Sequence, residues 1–122
     1  MPKILVIEDM PDSAEMVQQI LAKYGHAVLL AENGELGLAM AKDHKPDLII
    51  FDFLLPDLDA ATFLNRLREQ EDSANIPIIA CSATHPNLIK QSVGQAAFSG
   101  FIHKPFRVSS FMEVVEQHLP QD

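Results

Sequence analysis

The chain has little cysteine, little positive charge and no long apolar run, and each shortage excludes a class of function. Cys81 is the one cysteine among 122 residues, so no internal disulfide can form, and no secretory leader precedes the first apolar run. Lys and Arg number 9 against 17 Asp and Glu, and the net charge of -8 disfavours direct binding to nucleic acid or anionic membranes. No apolar stretch approaches the roughly 20 residues that a membrane helix needs. We therefore expect a cytoplasmic protein, without membrane insertion, whose partners are proteins or a metal ion.

Length and hydrophobic patterning predict one α/β domain. With 48% hydrophobic and 21% charged residues, the chain can bury a core of ordinary composition. Apolar runs of strand length alternate with segments in which apolar residues recur at helical spacing, which is typical of repeated βα units around a parallel sheet. The last helical segment closes the chain, so we expect one domain over residues 1–122 and no output domain.

Five strands and five helices are predicted from these patterns. The strands are 4–7, 27–31, 48–51, 78–81 and 101–102. The helical faces contain Met16, Val17, Ile20, Leu21 and Tyr24; Leu36 and Met40; Phe63, Leu64 and Leu67; Leu88, Ile89 and Val93; and Phe111, Val114, Val115 and Leu119. Local signals for helix ends are Gly25 as a left-handed cap, Asn33-Gly34 before the second helix, Asp57 or Asp59 before the third, and Ser110 with Glu113 as a capping box for the last.

Polar side chains follow four of the predicted strands. Glu8 and Asp9 come after the first strand, Asp52 after the third, Ser82 after the fourth and Lys104 after the fifth. Because ligands of open parallel sheets bind at the carboxyl ends of the strands, these side chains are predicted to share one pocket.

Three carboxylates in one pocket repel one another, and one lysine offsets only one charge. At about 4 Å, two carboxylates repel by roughly 4 kcal/mol at an effective dielectric of about 20. Mg²⁺ suits such a site because it prefers oxygen ligands and keeps waters that a phosphate can displace. An aspartate can also act as a nucleophile toward a phosphoryl group, whose oxygens the metal, Lys104 and Ser82 would then contact.

Together these motifs resemble the receiver domains of two-component response regulators over essentially the whole chain. The resemblance lies in Glu8-Asp9, the run from Asp52 to Pro56, Ser82-Ala83, and Lys104-Pro105-Phe106. It implies a doubly wound, five-stranded parallel sheet of strand order 2-1-3-4-5, which is the flavodoxin-like topology. It also implies a cis peptide bond between Lys104 and Pro105, which proline makes cheap.

The same resemblance assigns roles to the acids. Asp52 would be the phosphoacceptor. Glu8, Asp9 and Asp52 would hold Mg²⁺ together with the backbone carbonyl of Leu54.

The remaining site residues also receive roles by resemblance. Ser82 and Lys104 would contact the phosphoryl oxygens. Phe101 occupies the aromatic switch position, where it lacks the hydroxyl of the commoner tyrosine, so a switch there must work by packing. Ala60 and Ala97 replace frequent glycines, and Phe98 replaces a small residue.

The resemblance implies a signalling switch and not an enzyme with an external substrate. A histidine kinase or histidine phosphotransfer protein would supply the phosphoryl group, and the chain would catalyse only its own phosphorylation at Asp52 and its hydrolysis. Output would be contact with a downstream target on the face of the fourth helix, fifth strand and last helix. Residues predicted on or near that face are Lys90, Gln95, Phe98, Phe106 and Glu113.

Four alternatives are open at this point. The chain could be a receiver-like interaction module that is not phosphorylated, or a receiver excised from a larger hybrid kinase or regulator. A haloacid dehalogenase phosphatase would need a second aspartate where Leu54 stands, and a flavodoxin-like electron carrier would need a neutral phosphate loop in place of Glu8-Asp9.

Cys81 is predicted to pack in the core, and the five histidines show no metal-binding spacing.

Overall fold

The computed structural model describes residues 2–52, 57–71, 73–83 and 98–119. Its strands are β1 (Lys3–Ile7), β2 (Ala27–Ala31), β3 (Leu48–Asp52), β4 (Ile78–Ser82) and β5 (Gly100–His103). Within the described ranges the helices are α1 (Pro11–Lys23), α2 (Gly34–His44), α3 (Ala60–Glu69) and α4 (Val108–His118). All five predicted strands are confirmed to within one residue at each end. The helix predicted around Leu88, Ile89 and Val93 lies outside the described residues.

The strands form one parallel sheet of order β2-β1-β3-β4-β5, as the family resemblance implied. Every neighbouring pair is parallel, with Ile7 opposite Phe51 and Asp52 opposite Cys81. Because all strands run the same way, their carboxyl ends share one edge of the sheet. The α/β, flavodoxin-like fold predicted from the sequence is confirmed.

Helices cover both faces of the sheet and create two hydrophobic cores. One core places Leu5 and Ile7 of β1 with residues of α2 and α3, including the fully buried Phe63. The other places Ile4 and Val6 with residues of α1 and α4. Strands buried on both faces read as continuous apolar runs, which is why the sequence located them well.

Three predicted helix-end signals are confirmed. The side chain of Asp59 accepts a hydrogen bond from the Thr62 amide at 2.7 Å and caps α3, which decides between the two candidates considered for that position. Asn33 caps α2 by accepting from the Leu36 amide at 2.8 Å. Gly25, just past α1, has a φ of 87°, the left-handed region that glycine adopts without strain.

The capping box predicted for the last helix is wrong. α4 begins at Val108, so Ser110 lies inside the helix, and the residue before it, Arg107, makes no side-chain capping bond. Phe106 stacks on Phe111 with ring centroids 4.8 Å apart. This contact is a hydrophobic staple, and it sets the start of the helix three residues earlier than the polar signal did.

The predicted apolar faces of α1 and α2 are narrower than expected. Met16 of α1 and Tyr24, which follows the last residue of α1, are exposed, as is Leu36 of α2. On α1, Val17 and Leu21 are buried in the core, and Ile20 packs against it partly buried. In the described part of the chain, no helix is long and apolar enough to cross a membrane.

Candidate metal and phosphoryl site

Three acids meet at the carboxyl edge of the sheet. Ligand oxygens of Glu8, Asp9 and Asp52 all lie within 4.8 Å of one another. Glu8 follows β1, and its amide donates to the Ala31 carbonyl at 2.9 Å, which extends the strand pairing by one residue. Asp52 is the last residue of β3. The clustering expected from the sequence is therefore present in the structure.

Asp9 does not cap α1, although an acid just before a helix is a common capping residue. The residue that precedes the helix is Met10, which makes no side-chain capping bond, and Pro11 at the first helical position has no amide hydrogen to satisfy. The Asp9 carboxylate is thus placed beside the other two acids.

Glu8 is the buried acid of the site, and its surroundings disfavour its charged form. Its side chain is 7% exposed. The pKa of Glu8 is raised to about 7, mainly by burial and further by a hydrogen bond with Asp52 and by the charge of Asp52. The Lys104 ammonium, 3.8 Å from Glu8 Oε2, and the Met10 amide, 3.3 Å from Glu8 Oε1, act in the opposite direction. The pocket therefore holds more negative charge than its lysine offsets.

This donor set fits a divalent cation that prefers oxygen. Carboxylate ligands and an excess of negative charge are what Mg²⁺ sites use. A bound cation would favour the ionised form of Glu8 and so oppose the effects that raise its pKa.

Ser82 and Lys104 lie at neighbouring strand ends on the other side of Asp52. Ser82 ends β4 and is 3% exposed. The Lys104 amide donates to the Ser82 carbonyl at 2.9 Å, which ties the two residues together through the backbone. The Lys104-Pro105 peptide is cis, as the resemblance implied.

A cavity of about 480 Å³ opens beside the acids. Glu8, Asp52 and Lys104 line one part of it, and apolar side chains of α1 and of the segment before α4, such as Met16 and Phe106, line the rest. This wall was not predicted from the sequence, because Met16 was placed with Val17 and Leu21 on one apolar face of the first helix.

Cys81 also lines this cavity, but its thiol has low reactivity. It is 4% exposed, and burial raises the pKa of its thiol to about 11, so it remains protonated near neutral pH. The prediction that Cys81 packs in the core is confirmed.

An aromatic series connects β3 to β5. Phe51, which precedes Asp52, has its ring centroid 5.8 Å from that of Phe98, and Phe98 lies 5.9 Å from Phe101. Phe98 was predicted on or near the output face, but it is only 8% exposed and packs in the core. Its ring fills the space between two neighbours in the core. Leu54, Lys90, Gln95 and Ala97 lie outside the described residues.

Comparison with known proteins agrees with this arrangement. Residues 4–116 match the response regulator receiver domain family, and the chain belongs to that family. Chemotaxis protein CheY of Bacillus subtilis (strain 168) is 32% identical over 118 residues, which cover 96% of this chain and 97% of CheY.

Two similar solved structures concern the site itself. The receiver domain of sensor histidine kinase PA1611 from Pseudomonas aeruginosa PAO1, with a magnesium ion coordinated in its active site cleft, is 25% identical at a TM-score of 0.86, with 96% of each chain covered. Response regulator TrrA of Thermotoga maritima, in complex with Mg²⁺ and BeF, is 25% identical at a TM-score of 0.86 and covers 98% of this chain and 100% of its own. The protein is therefore a receiver domain of the two-component response regulator class.

Proposed function

We propose that this protein is a cytoplasmic signalling switch that receives a phosphoryl group on Asp52 from a histidine kinase or a histidine phosphotransfer protein. The observation that carries the proposal is the cluster of Glu8, Asp9 and Asp52 within 4.8 Å at the carboxyl edge of the sheet, with Lys104 beside it. A phosphoacceptor needs both the acid and the surrounding charges, and single residues of each type would not suffice.

The metal site would consist of the same acids. Glu8, Asp9 and Asp52, with the backbone carbonyl of Leu54, would hold Mg²⁺. When bound, the ion supplies positive charge to the phosphoryl oxygens. A receiver-like interaction module without phosphorylation would have no use for three carboxylates within 4.8 Å of one another beside a lysine, and this favours the phosphorylated switch.

The chain's own residues would perform the transfer. A carboxylate oxygen of Asp52 attacks the phosphorus atom, the new P–O bond forms as the P–N bond to the donor imidazole breaks, and the donor nitrogen keeps the bonding electron pair. Lys104 and the Ser82 hydroxyl donate to the phosphoryl oxygens as negative charge redistributes. The cavity lined by Met16 and Phe106 leaves Asp52 accessible from the α1 side.

The output would be a change of surface around β5 and α4, where a downstream target binds. A phosphoryl group that draws in Ser82 and Lys104 pulls on the ends of β4 and β5. Phe101 lies in the aromatic series with Phe98 and Phe51, so a shift of β5 changes the packing of that series. Phosphorylation shifts the balance only by its differential stabilisation of one state, and about 5.5 kcal/mol is needed to go from 1:99 to 99:1.

Beryllofluoride, a phosphoryl mimic, tests this switch. With Mg²⁺ and beryllofluoride, we expect amide chemical-shift changes at Asp52 and Ser82 and also at residues between 84 and 107, including Phe101. Asp52→Asn is the control and is expected to show none of these changes. Shifts confined to the pocket, with residues 84 to 107 silent, would refute the proposed output.

A further inference from the structure

The ring of His118 lies between two backbone carbonyl oxygens. His118 is the last residue of α4 and is half-buried. Its Nδ1 lies 2.8 Å from the carbonyl oxygen of Val114, about one helical turn earlier, and its Nε2 lies 3.0 Å from the carbonyl oxygen of Ser99, the residue before β5. Because a carbonyl oxygen accepts hydrogen bonds and cannot donate them, each ring nitrogen needs a hydrogen to bond its partner.

Only the protonated ring satisfies both carbonyls. Neutral imidazole has one N–H group, so its other nitrogen points a lone pair at a carbonyl oxygen. Imidazolium has two N–H groups and donates to both carbonyls, and hydrogen bonds from a charged donor are stronger than neutral ones. The carboxyl end of α4 favours the same charged form, since the helix dipole is negative there. The bridge from α4 to β5 is therefore complete when His118 is protonated.

The start of β5 is shaped to receive this ring. A Cβ atom at Gly100 would lie 2.8 Å from His118 Cε1 and 3.0 Å from its Nε2, so a larger residue there would displace the ring. Gly100 does not have a positive φ, and its backbone conformation alone does not require glycine. Ser99 is itself fixed to β4, because its amide donates to the Ile78 carbonyl at 2.8 Å and its hydroxyl accepts from the Ile78 amide at 3.2 Å.

The titratable groups of the described elements packed against the ring do not face it. β5 has one such residue, His103, at the far end of the strand. The acids of α4 are Glu113 and Glu116, which precede His118 by five and two positions. At 3.6 residues per turn they lie roughly 140° and 160° around the helix axis from His118. The two carbonyl oxygens are therefore the groups that respond to its charge.

We propose that His118 is a pH-dependent clasp between α4 and β5, in which protonation of the ring adds a hydrogen bond that holds the last turn of the helix to the start of the strand. Histidine gains or loses its ring proton between about pH 5 and about pH 8. The clasp is complete at the acid end of this range and loses one of its two bonds as the pH rises. It joins two elements of the proposed output surface, but it forms without a phosphoryl group, so its test does not depend on the proposed function.

A matched pair of histidine variants tests the clasp. His118→Gln keeps a donor but cannot become charged, and His44→Gln makes the same change at the last residue of α2. In a chelator, the melting temperature of His118→Gln should fall below that of wild type by about 3 °C more at about pH 5.5 than at about pH 8. For His44→Gln, the difference from wild type should change by less than about 1 °C. Glu8 is present in all three proteins, so its contribution cancels from these differences.

Gly100→Ala tests the same contact without removing the histidine. Its methyl group displaces the flexible ring, so this variant should lose the same pH-dependent part of the melting temperature as His118→Gln. The double variant should lose no more of it than His118→Gln alone, because both changes remove one interaction. In nitrogen-resolved NMR spectra at about pH 5.5, both ring N–H protons of His118 should be protected from exchange with water in wild type and neither in Gly100→Ala.

Each outcome supports or overturns the clasp. A melting-temperature difference between wild type and His118→Gln that is the same at both pH values overturns it. An equal pH dependence in His44→Gln also overturns it, because the helix dipole would then explain the effect. Should a variant fail to fold, the spectra of wild type still decide, since fewer than two protected ring N–H protons would contradict the clasp. Failure to phosphorylate Asp52 would contradict the proposed function and leave this inference intact.

Discussion

Metal-free wild-type protein is expected to lose on the order of 2 to 3 kcal/mol of unfolding free energy between about pH 5 and about pH 8 through Glu8 alone. Burial, together with Asp52, raises the pKa of Glu8 from 4.5 to about 7 in the folded state. The folded protein then holds a proton that the unfolded chain has already released. This contribution is fully present below pH 4.5 and is lost as the pH rises through 7.

Asp52→Asn removes part of the cause and should be more stable than wild type above pH 7 without metal. It eliminates the charge of Asp52 but leaves the burial of Glu8, so its stability should fall with pH less steeply than that of wild type and more steeply than that of Glu8→Gln. Urea unfolding in a chelator at several pH values measures the three slopes. Mg²⁺ should restore the stability of wild type by mass action and should stabilise Asp52→Asn less. An Asp52→Asn protein less stable than wild type above pH 7 would contradict the claim that the clustered carboxylates destabilise the metal-free fold.

Lys104→Met is expected to slow phosphorylation by a small-molecule phosphodonor about 100-fold, the usual cost of losing one group that stabilises a developing anion. Among the described residues that line the cavity, Lys104 is the cation, and its Nζ lies 3.8 Å from Glu8 Oε2. The slowing should depend on the position of the Lys104 ammonium and not on the net charge of the protein.

Lys3→Met provides the matched control for Lys104→Met. Lys3 lies at the opposite end of the sheet, where its Nζ donates to the His44 carbonyl at 3.0 Å, and its loss changes the net charge equally. The phosphorylation rate of Lys3→Met should equal that of wild type. Similar slowing in both variants would assign the effect to overall charge.

The fold could be predicted from local patterns in the sequence because the residues that form each pattern lie within a few positions of one another. Strands buried on both faces appear as apolar runs. The Asp59 side chain caps α3 by accepting from an amide only three residues away. The start of α4 could not be predicted in this way. There the polar signal at Ser110 competes with the stacking of Phe106 on Phe111, and the aromatic contact determines where the helix begins.

The site was predictable to the extent that parallel strands bring their ends together. Glu8, Asp9 and Asp52 meet as expected. The shared hydrogen bond that helps to raise the pKa of Glu8, the burial of Phe98 and the contact of His118 with Ser99 depend on distances between groups that are far apart in the sequence. No spacing in the sequence encodes those distances, which arise from tertiary packing.

Intact-mass spectrometry after incubation with acetyl phosphate and Mg²⁺ tests the central claim most directly. Wild type should gain one phosphoryl group, Asp43→Asn, which alters an exposed acid of α2, should gain one as well, and Asp52→Asn should gain none. A chelator should abolish the labelling of wild type. Equal labelling of wild type and Asp52→Asn would contradict the assignment of Asp52 as the phosphoacceptor.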